Sequence, residues 1–153
     1  LFFYFCLNIF HLINKPLRKA VMGVLVNQEQ HILIGYSHRD KSYKFPQGGL
    51  EKNENYIQGL QRELLEELNY TFETKDILEF FEEKVVYIYP ENEFYSGQEL
   101  RIVKIIYNPE IQLQPQDDEF ESLFWIQPSE LKKFDTDYRA EAYNQALKIC
   151  KLL

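Results

Sequence analysis

Three carboxylates within five positions, Glu63, Glu66 and Glu67, are the residues best placed to do chemistry. On a helix, steps of about 100° per residue put them at roughly 0°, 300° and 40°, within one arc of about 100°. Like charges at these spacings repel by a few tenths of a kcal/mol per pair. Glu66 and Glu67 also fall in the last turn, where the helix dipole disfavours anions. A hard divalent cation reverses the balance, because Mg²⁺ takes oxygen ligands and keeps several of its waters. Alone, the same pattern also suits a solvated acidic face. Two neighbours favour the metal: Gly48 and Gly49 let backbone approach a ligand closely, and Arg62 can clamp a carboxylate with a fixed fork.

The elements that must position these groups follow from hydrophobic spacing. Residues 53–68 read as a helix with Ile57, Leu60, Leu64 and Leu68 on one narrow stripe. Asn53 is a candidate N-cap, and Asn69 suits the left-handed position after the helix. The apolar runs Ala20–Val26 and His31–Tyr36, split by Asn27-Gln28-Glu29-Gln30, read as a strand pair. Residues 43–45 read as a short strand, after which Pro46-Gln47-Gly48-Gly49 is expected to end regular structure. Further strands are expected within 77–89, at 100–107 and at 122–126. A polar, acidic loop covers 108–121, and helices are expected from Pro128 and over 137–152. Strands flanking a helix, more strands, then C-terminal helices indicate an α/β or α+β sandwich.

The 153 residues suit one domain. A formal charge of −7 argues against a protein that holds nucleic acid mainly by neutralising phosphates, DNA included. A bridging metal still allows phosphate chemistry. Cys6 and Cys150, far apart, make neither a metal cluster nor a disulfide framework and fit a reducing cytoplasm. Leu1–Ile13 is strongly apolar but shorter than the roughly 20 residues of a spanning helix, and Asn8 and His11 interrupt it. Residues 1–15 are read as an N-terminal apolar extension and 16–153 as the domain. A truncated membrane anchor or signal sequence is the alternative for that stretch.

The run Gly48, five residues, Glu54, seven residues, then Arg62-Glu63-Leu64-Leu65-Glu66-Glu67-Leu68-Asn69-Tyr70 closely resembles the Nudix box. Every charged position matches. Asn69 replaces the usual glycine and Tyr70 the usual aliphatic residue. The resemblance implies an α/β/α sandwich with a mixed sheet and a catalytic loop-helix-loop. It implies a metal-dependent hydrolase that cleaves a pyrophosphate linkage with Mg²⁺ or Mn²⁺. Glu63, Glu66 and Glu67 would be metal ligands, Gly48 or Gly49 would offer a carbonyl, and Glu54 with Arg62 would form an orienting ion pair.

The flanks resemble bacterial RNA pyrophosphohydrolases and related dinucleoside polyphosphate hydrolases. Lys44-Phe45-Pro46-Gln47-Gly48-Gly49-Leu50 is similar to their W-Q-F-P-Q-G-G-I segment. Arg18-Lys19-Ala20-Val21 resembles R-P-N-V, and Gly97-Gln98-Glu99-Leu100-Arg101 resembles G-Q-K-Q-[KR]. Asp118-Glu119-Phe120 followed by Trp125-Ile126 resembles P-E-F…W-V. Glu119 thereby inherits the role of a further metal ligand or base. Arg18, Gln47, Lys44, Arg39, Tyr43, Arg101 and Phe120 become substrate-binding candidates, and Arg139 and Tyr143 resemble a basic-aromatic helix near the RNA site. The arginines usual in the strand before the loop are replaced by Tyr36-Ser37-His38. The implied substrate is the 5′ end of RNA, or else a dinucleoside polyphosphate. Nucleotide-pool cleaning and a non-catalytic binding module are remoter, the latter because all box carboxylates survive. The expected enzyme is a cytoplasmic monomer that does not engage a membrane.

Overall fold

The computed structural model describes residues 15–116 and 118–153. The expectation for 1–15 therefore lies, except for Lys15, outside the described residues, as does Cys6. Cys150 is a buried free thiol.

β1 (Leu17–Val26) is the spine of a seven-stranded mixed sheet. It runs parallel to β6 (Gly97–Ile106), from Leu17 beside Gly97 to Val26 beside Ile106. On its other side it meets β2 (Ile32–Ser37) and β4 (Gln47–Gly49), both antiparallel. β3 (Ser42–Lys44) and β7 (Ser122–Ile126) pair with β2, and β5 (Ile77–Ile88) closes the other edge against β6.

The continuous apolar run of β1 has a simple cause: both faces of the strand are covered. Ala20, Met22, Val24 and Val26 join one core with Tyr143, Ala146 and Leu147 of the C-terminal helix α2 (Ala140–Ile149). Val21 and Leu25 join a second core with Leu60, Leu64 and Leu68 of α1 (Tyr56–Leu68). Those three leucines are fully buried, and each contributes roughly 1.5–3 kcal/mol through removal from water. Helix, sheet and helix thus form the expected α/β/α sandwich.

Three local expectations need correction. The Gln47-Gly48-Gly49 segment does not end regular structure, because it pairs with Met22, Val21 and Ala20. The N-cap of α1 is Asn55, not Asn53. Asn55 Oδ1 accepts from the Gln58 amide at 2.8 Å, and Gln58 Oε1 accepts from the Asn55 amide at 3.0 Å. This reciprocal pair needs a long amide or acid three residues on; Asn53 has Tyr56 there and instead takes a left-handed turn at φ 65°. The C-terminal helix starts at Ala140, after a separate turn of 3₁₀ helix at Asp137–Arg139. Asn69 does occupy the left-handed cap, at φ 51°, where its amide donates to the Leu65 carbonyl at 3.0 Å.

The two asparagines give an opposed pair of expectations. Asn55→Ala should lower unfolding free energy by about 1 kcal/mol, the usual value of a lost cap. Asn53→Gly should leave it unchanged or slightly raised, since glycine accepts positive φ without strain. Urea denaturation of the two variants checks this, and equal losses would contradict the cap assignment.

Candidate active site

Arg62 fastens the glycine loop to α1. Its Nε and Nη2 donate to the two oxygens of Glu54 at 2.8 and 2.9 Å, and Nη2 also donates to the Gly49 carbonyl at 2.9 Å. Nη1 donates to Glu63 Oε1 at 2.8 Å. The bidentate fork holds the Glu54 carboxyl below the ordinary carboxylate range, as a charged donor pair should.

Beyond this brace the carboxylates are crowded. Glu67 is 2% exposed. Burial pushes its carboxyl well above the ordinary range, and the charges of Glu63 and Glu119 add to the shift. Glu63 lies against Glu67 and is also raised, chiefly by burial, although Arg62 opposes this. Glu67 Oε2 is enclosed and has no hydrogen-bond partner among the described residues. A Cβ on Gly48 would lie 2.0 Å from the Glu63 carboxyl carbon, so only glycine admits Glu63 here.

The third box glutamate behaves differently. Glu66 is 58% exposed and its Oε2 lies 3.4 Å from Arg62 Nη1. Among the described residues no three acidic, histidine or cysteine side chains converge as a finished metal cage. The structure brings Glu63 and Glu67 together near Glu119 and leaves Glu66 on the solvent side. The donor set fits a hard divalent cation: oxygen ligands only, two of them crowded as like charges, and one buried oxygen unpartnered.

A cleft of about 430 Å³ opens beside these carboxylates, walled by Arg18, Arg39, Asp40, Lys44, Gln47, Glu63, Glu119 and Arg139 among others. A depression of about 570 Å³ between residues 128–137 and α2 holds none of the box residues, so the smaller cleft is the chemically equipped one. Glu119 accepts both its hydrogen bonds from Arg39 Nη2, at 3.0 and 3.2 Å. Arg18 lies flat against Gly49, where a Cβ would come within 2.1 Å of its Nε.

Gln47 is less free than its sequence position suggests. Its Nε2 donates to the Tyr87 hydroxyl and, at 3.2 Å, to Gln98 Oε1, while its Oε1 accepts from Tyr143. Tyr87 in turn donates to Gln98. Burial raises the Tyr87 phenol to about 12, so it stays a donor.

Three substrate-binding candidates stand outside the cleft. Tyr43 packs its ring among Tyr36, Phe124 and Phe134. Phe120 is 2% exposed and fills the space over Gly35. The guanidinium of Arg101 covers the Phe80 ring at 3.9 Å, and its Nε donates to the Phe81 carbonyl. Conversely, sequence reading missed Asp40, Tyr87, Tyr89 and Tyr138, which all wall the cleft. The spacing of Asp40 four residues before Lys44 was the one available signal.

Comparison with known proteins identifies the family and the fold. The family profile described as NUDIX domain matches residues 16–146. The RNA pyrophosphohydrolase of Helicobacter pylori (strain ATCC 700392 / 26695) is 32% identical over 117 residues, covering 72% of this chain and 74% of that one. Among solved structures, the MutT protein from Methanosarcina mazei Go1 superposes with a TM-score of 0.69 at 15% identity, covering 90% of this chain and 98% of the other. A Caenorhabditis elegans Ap4A hydrolase binary complex gives 0.64 at 20% identity, over 88% and 96%.

The contact at Gly48 can be tested directly. Gly48→Ala should fold but move the Glu63 carboxyl by about an ångström, and such a misplacement costs on the order of 100-fold in turnover. Steady-state kinetics with a thermal melt checks both halves. Wild-type turnover would show that Glu63 does not need its present position.

Proposed function

The chain belongs to the NUDIX domain family, and on that basis we propose that it is a metal-dependent RNA 5′-pyrophosphohydrolase. It removes pyrophosphate from 5′-triphosphorylated RNA and leaves a 5′-monophosphate end open to decay. The observation that carries the reading is the buried Glu63–Glu67 pair, with its unpartnered Glu67 oxygen, whose Glu63 member lines a cleft that also bears cations. The choice of RNA rests on the similarity to the Helicobacter pylori enzyme.

Each residue has a distinct task in this reading. Glu63 and Glu67 would hold the metal, with Glu66 joining from the solvent side and the Gly48 or Gly49 carbonyl contributing from the loop. Arg62 and Glu54 keep that loop and α1 in register. Glu119 takes the proton from the attacking water or serves as a further ligand. Arg18, Arg39 and Lys44 receive phosphate oxygens. Mg²⁺ or Mn²⁺ bound there neutralises charge on the phosphate and lowers the pKa of water.

The reading takes the enzyme as cytoplasmic, in keeping with work on RNA ends, and as a monomer. No described helix is long and apolar enough to cross a membrane. Dinucleoside polyphosphate hydrolysis is the second reading, favoured by the likeness to the Caenorhabditis elegans Ap4A hydrolase.

One competition assay with Mg²⁺ separates the two, with 5′-triphosphorylated RNA against diadenosine tetraphosphate and kcat/KM and products read for each. Higher kcat/KM on RNA with 5′-monophosphate products is expected; preference for the dinucleotide overturns the RNA reading. Glu67→Gln should lower kcat by about 100- to 1,000-fold, the range for loss of one preorganised charge-stabilising group. Near-wild-type kcat at saturating Mg²⁺ would remove Glu67 from the metal site.

A further inference from the structure

Asp40, in the bend between β2 and β3, is met by three cations from separate parts of the chain. Lys44 Nζ lies 2.8 Å from Oδ2, Arg39 Nε 3.5 Å from Oδ1, and Arg139 Nη2 3.8 Å from Oδ2. All four residues wall the cleft that holds Glu63 and Glu119. Lys44 and Arg139 are nearly enclosed, with side chains 9% and 5% exposed.

Arg139 is held from several sides. Its guanidinium lies 4.3 Å from the Tyr138 ring centroid and 5.4 Å from that of Tyr87. Nη1 donates to Ser42 Oγ at 3.3 Å and Nη2 to the Tyr138 hydroxyl at 2.6 Å. Its Nε is buried without a partner among the described residues. An arginine needed only to dock α2 on the sheet would be better replaced by an apolar side chain. Its charge therefore has another use.

The charge count shows what that use is. Arg18, Arg39, Lys44 and Arg139 on the cleft wall match Asp40, Glu63, Glu91 and Glu119 one for one, in a chain whose formal charge is −7. A cleft that gathers cations to neutrality in so acidic a chain, three of them around one carboxylate, suits a polyanion. β2 supplies no cation there: Ser37 is fully buried and Tyr36 packs on Tyr43. Positive charge reaches the cleft from the following loop, from β3 and from the turn before α2 instead.

We propose that Asp40 is a positioning residue that gathers Arg39, Lys44 and Arg139 into one subsite for the outer phosphates of the substrate's polyphosphate end. This rests on the pyrophosphohydrolase reading. One carboxylate oxygen binds Lys44 and faces Arg139, and the other faces Arg39, which Glu119 holds at 3.0 Å, so Asp40 is the one carboxylate shared by all three cations. Asp40 also competes with Glu119. Lys44 is 3.9 Å from Glu119 Oε2 but 2.8 Å from Asp40. Without the nearer carboxylate, Lys44 can join Arg39 on Glu119, adding a second cation to the candidate base.

Neutralising Asp40 separates positioning from simple charge, because the two predict opposite signs. Asp40→Asn adds a positive charge to the wall, so charge alone predicts tighter binding of a polyanion. Loss of positioning predicts weaker binding, by about tenfold, within the usual coupling range of contacting groups. The experiment is calorimetric titration of the full chain with inorganic tripolyphosphate, without divalent metal, with melting curves to verify folding. Alongside it, kcat/KM is measured with Mg²⁺ on triphosphorylated RNA and on diadenosine tetraphosphate. The expected result is weaker binding in Asp40→Asn, lower kcat/KM on both substrates, and partial recovery in Asp40→Glu. The loss should shrink in an Arg139→Gln background.

Unchanged or tighter binding in folded Asp40→Asn overturns the proposal, and so does strict additivity with Arg139→Gln. Should Asp40→Asn fail to fold, Asp40→Glu decides: a severalfold loss supports positioning, and wild-type affinity overturns it. Tripolyphosphate contains no nucleoside, so failure of RNA as a substrate would sink the RNA reading and leave this result standing.

Discussion

Glu67 holds a carboxylate out of water against a second carboxylate, Glu63, with Glu119 close enough to add to the repulsion. Burying an ion costs several kcal/mol even after relaxation, so the surroundings must supply compensation. Part of it is Arg62, which reaches Glu63 while both ends of its fork are occupied by Glu54 and the Gly49 carbonyl. Among the described residues no donor supplies the remainder, as the unpartnered Glu67 oxygen shows. The same atoms that are unfavourable alone become favourable around a divalent cation. The site is preorganised by a fold that tolerates its repulsion.

The sheet provides that tolerance. α1 is anchored by Leu60, Leu64 and Leu68 in one core, so its polar face can carry strain without detaching. The glycine loop is anchored separately, through pairing of β4 with β1. Arg62 then has two rigid bodies to join, and its hydrogen bonds fix the distance between them. Removing the side chain at position 48 is what lets Glu63 occupy the gap.

The opposite wall follows a different rule. Tyr143, Gln47, Tyr87 and Gln98 form a buried hydrogen-bonded chain linking α2, β4, β5 and β6. The high pKa of the Tyr87 phenol keeps it protonated at neutral pH, so the network holds its direction. Arg139 stacks on Tyr87 and Tyr138 beside it. An acidic protein thereby gathers Arg39, Lys44 and Arg139 around Asp40 on the cleft wall.

The sequence alone determined the box, its helix and the left-handed cap at Asn69, and it marked the apolar run of β1 as a strand. These rest on spacing within a single element, where 3.6-residue and two-residue periods fix which side chains share a face. The Glu54–Arg62 pair was legible only through the resemblance to the Nudix box, and the structure shows it as a bidentate ion pair. Tertiary structure decided the rest. It put Tyr43, Phe120 and Arg101 outside the cleft, turned Glu66 outward, and brought Asp40, Tyr87 and Tyr138 in. Arg39 and Glu119 are 80 positions apart, and Arg139 and Ser42 are 97 apart. Contacts at such separations depend on how helices and strands pack, and no local periodicity records them.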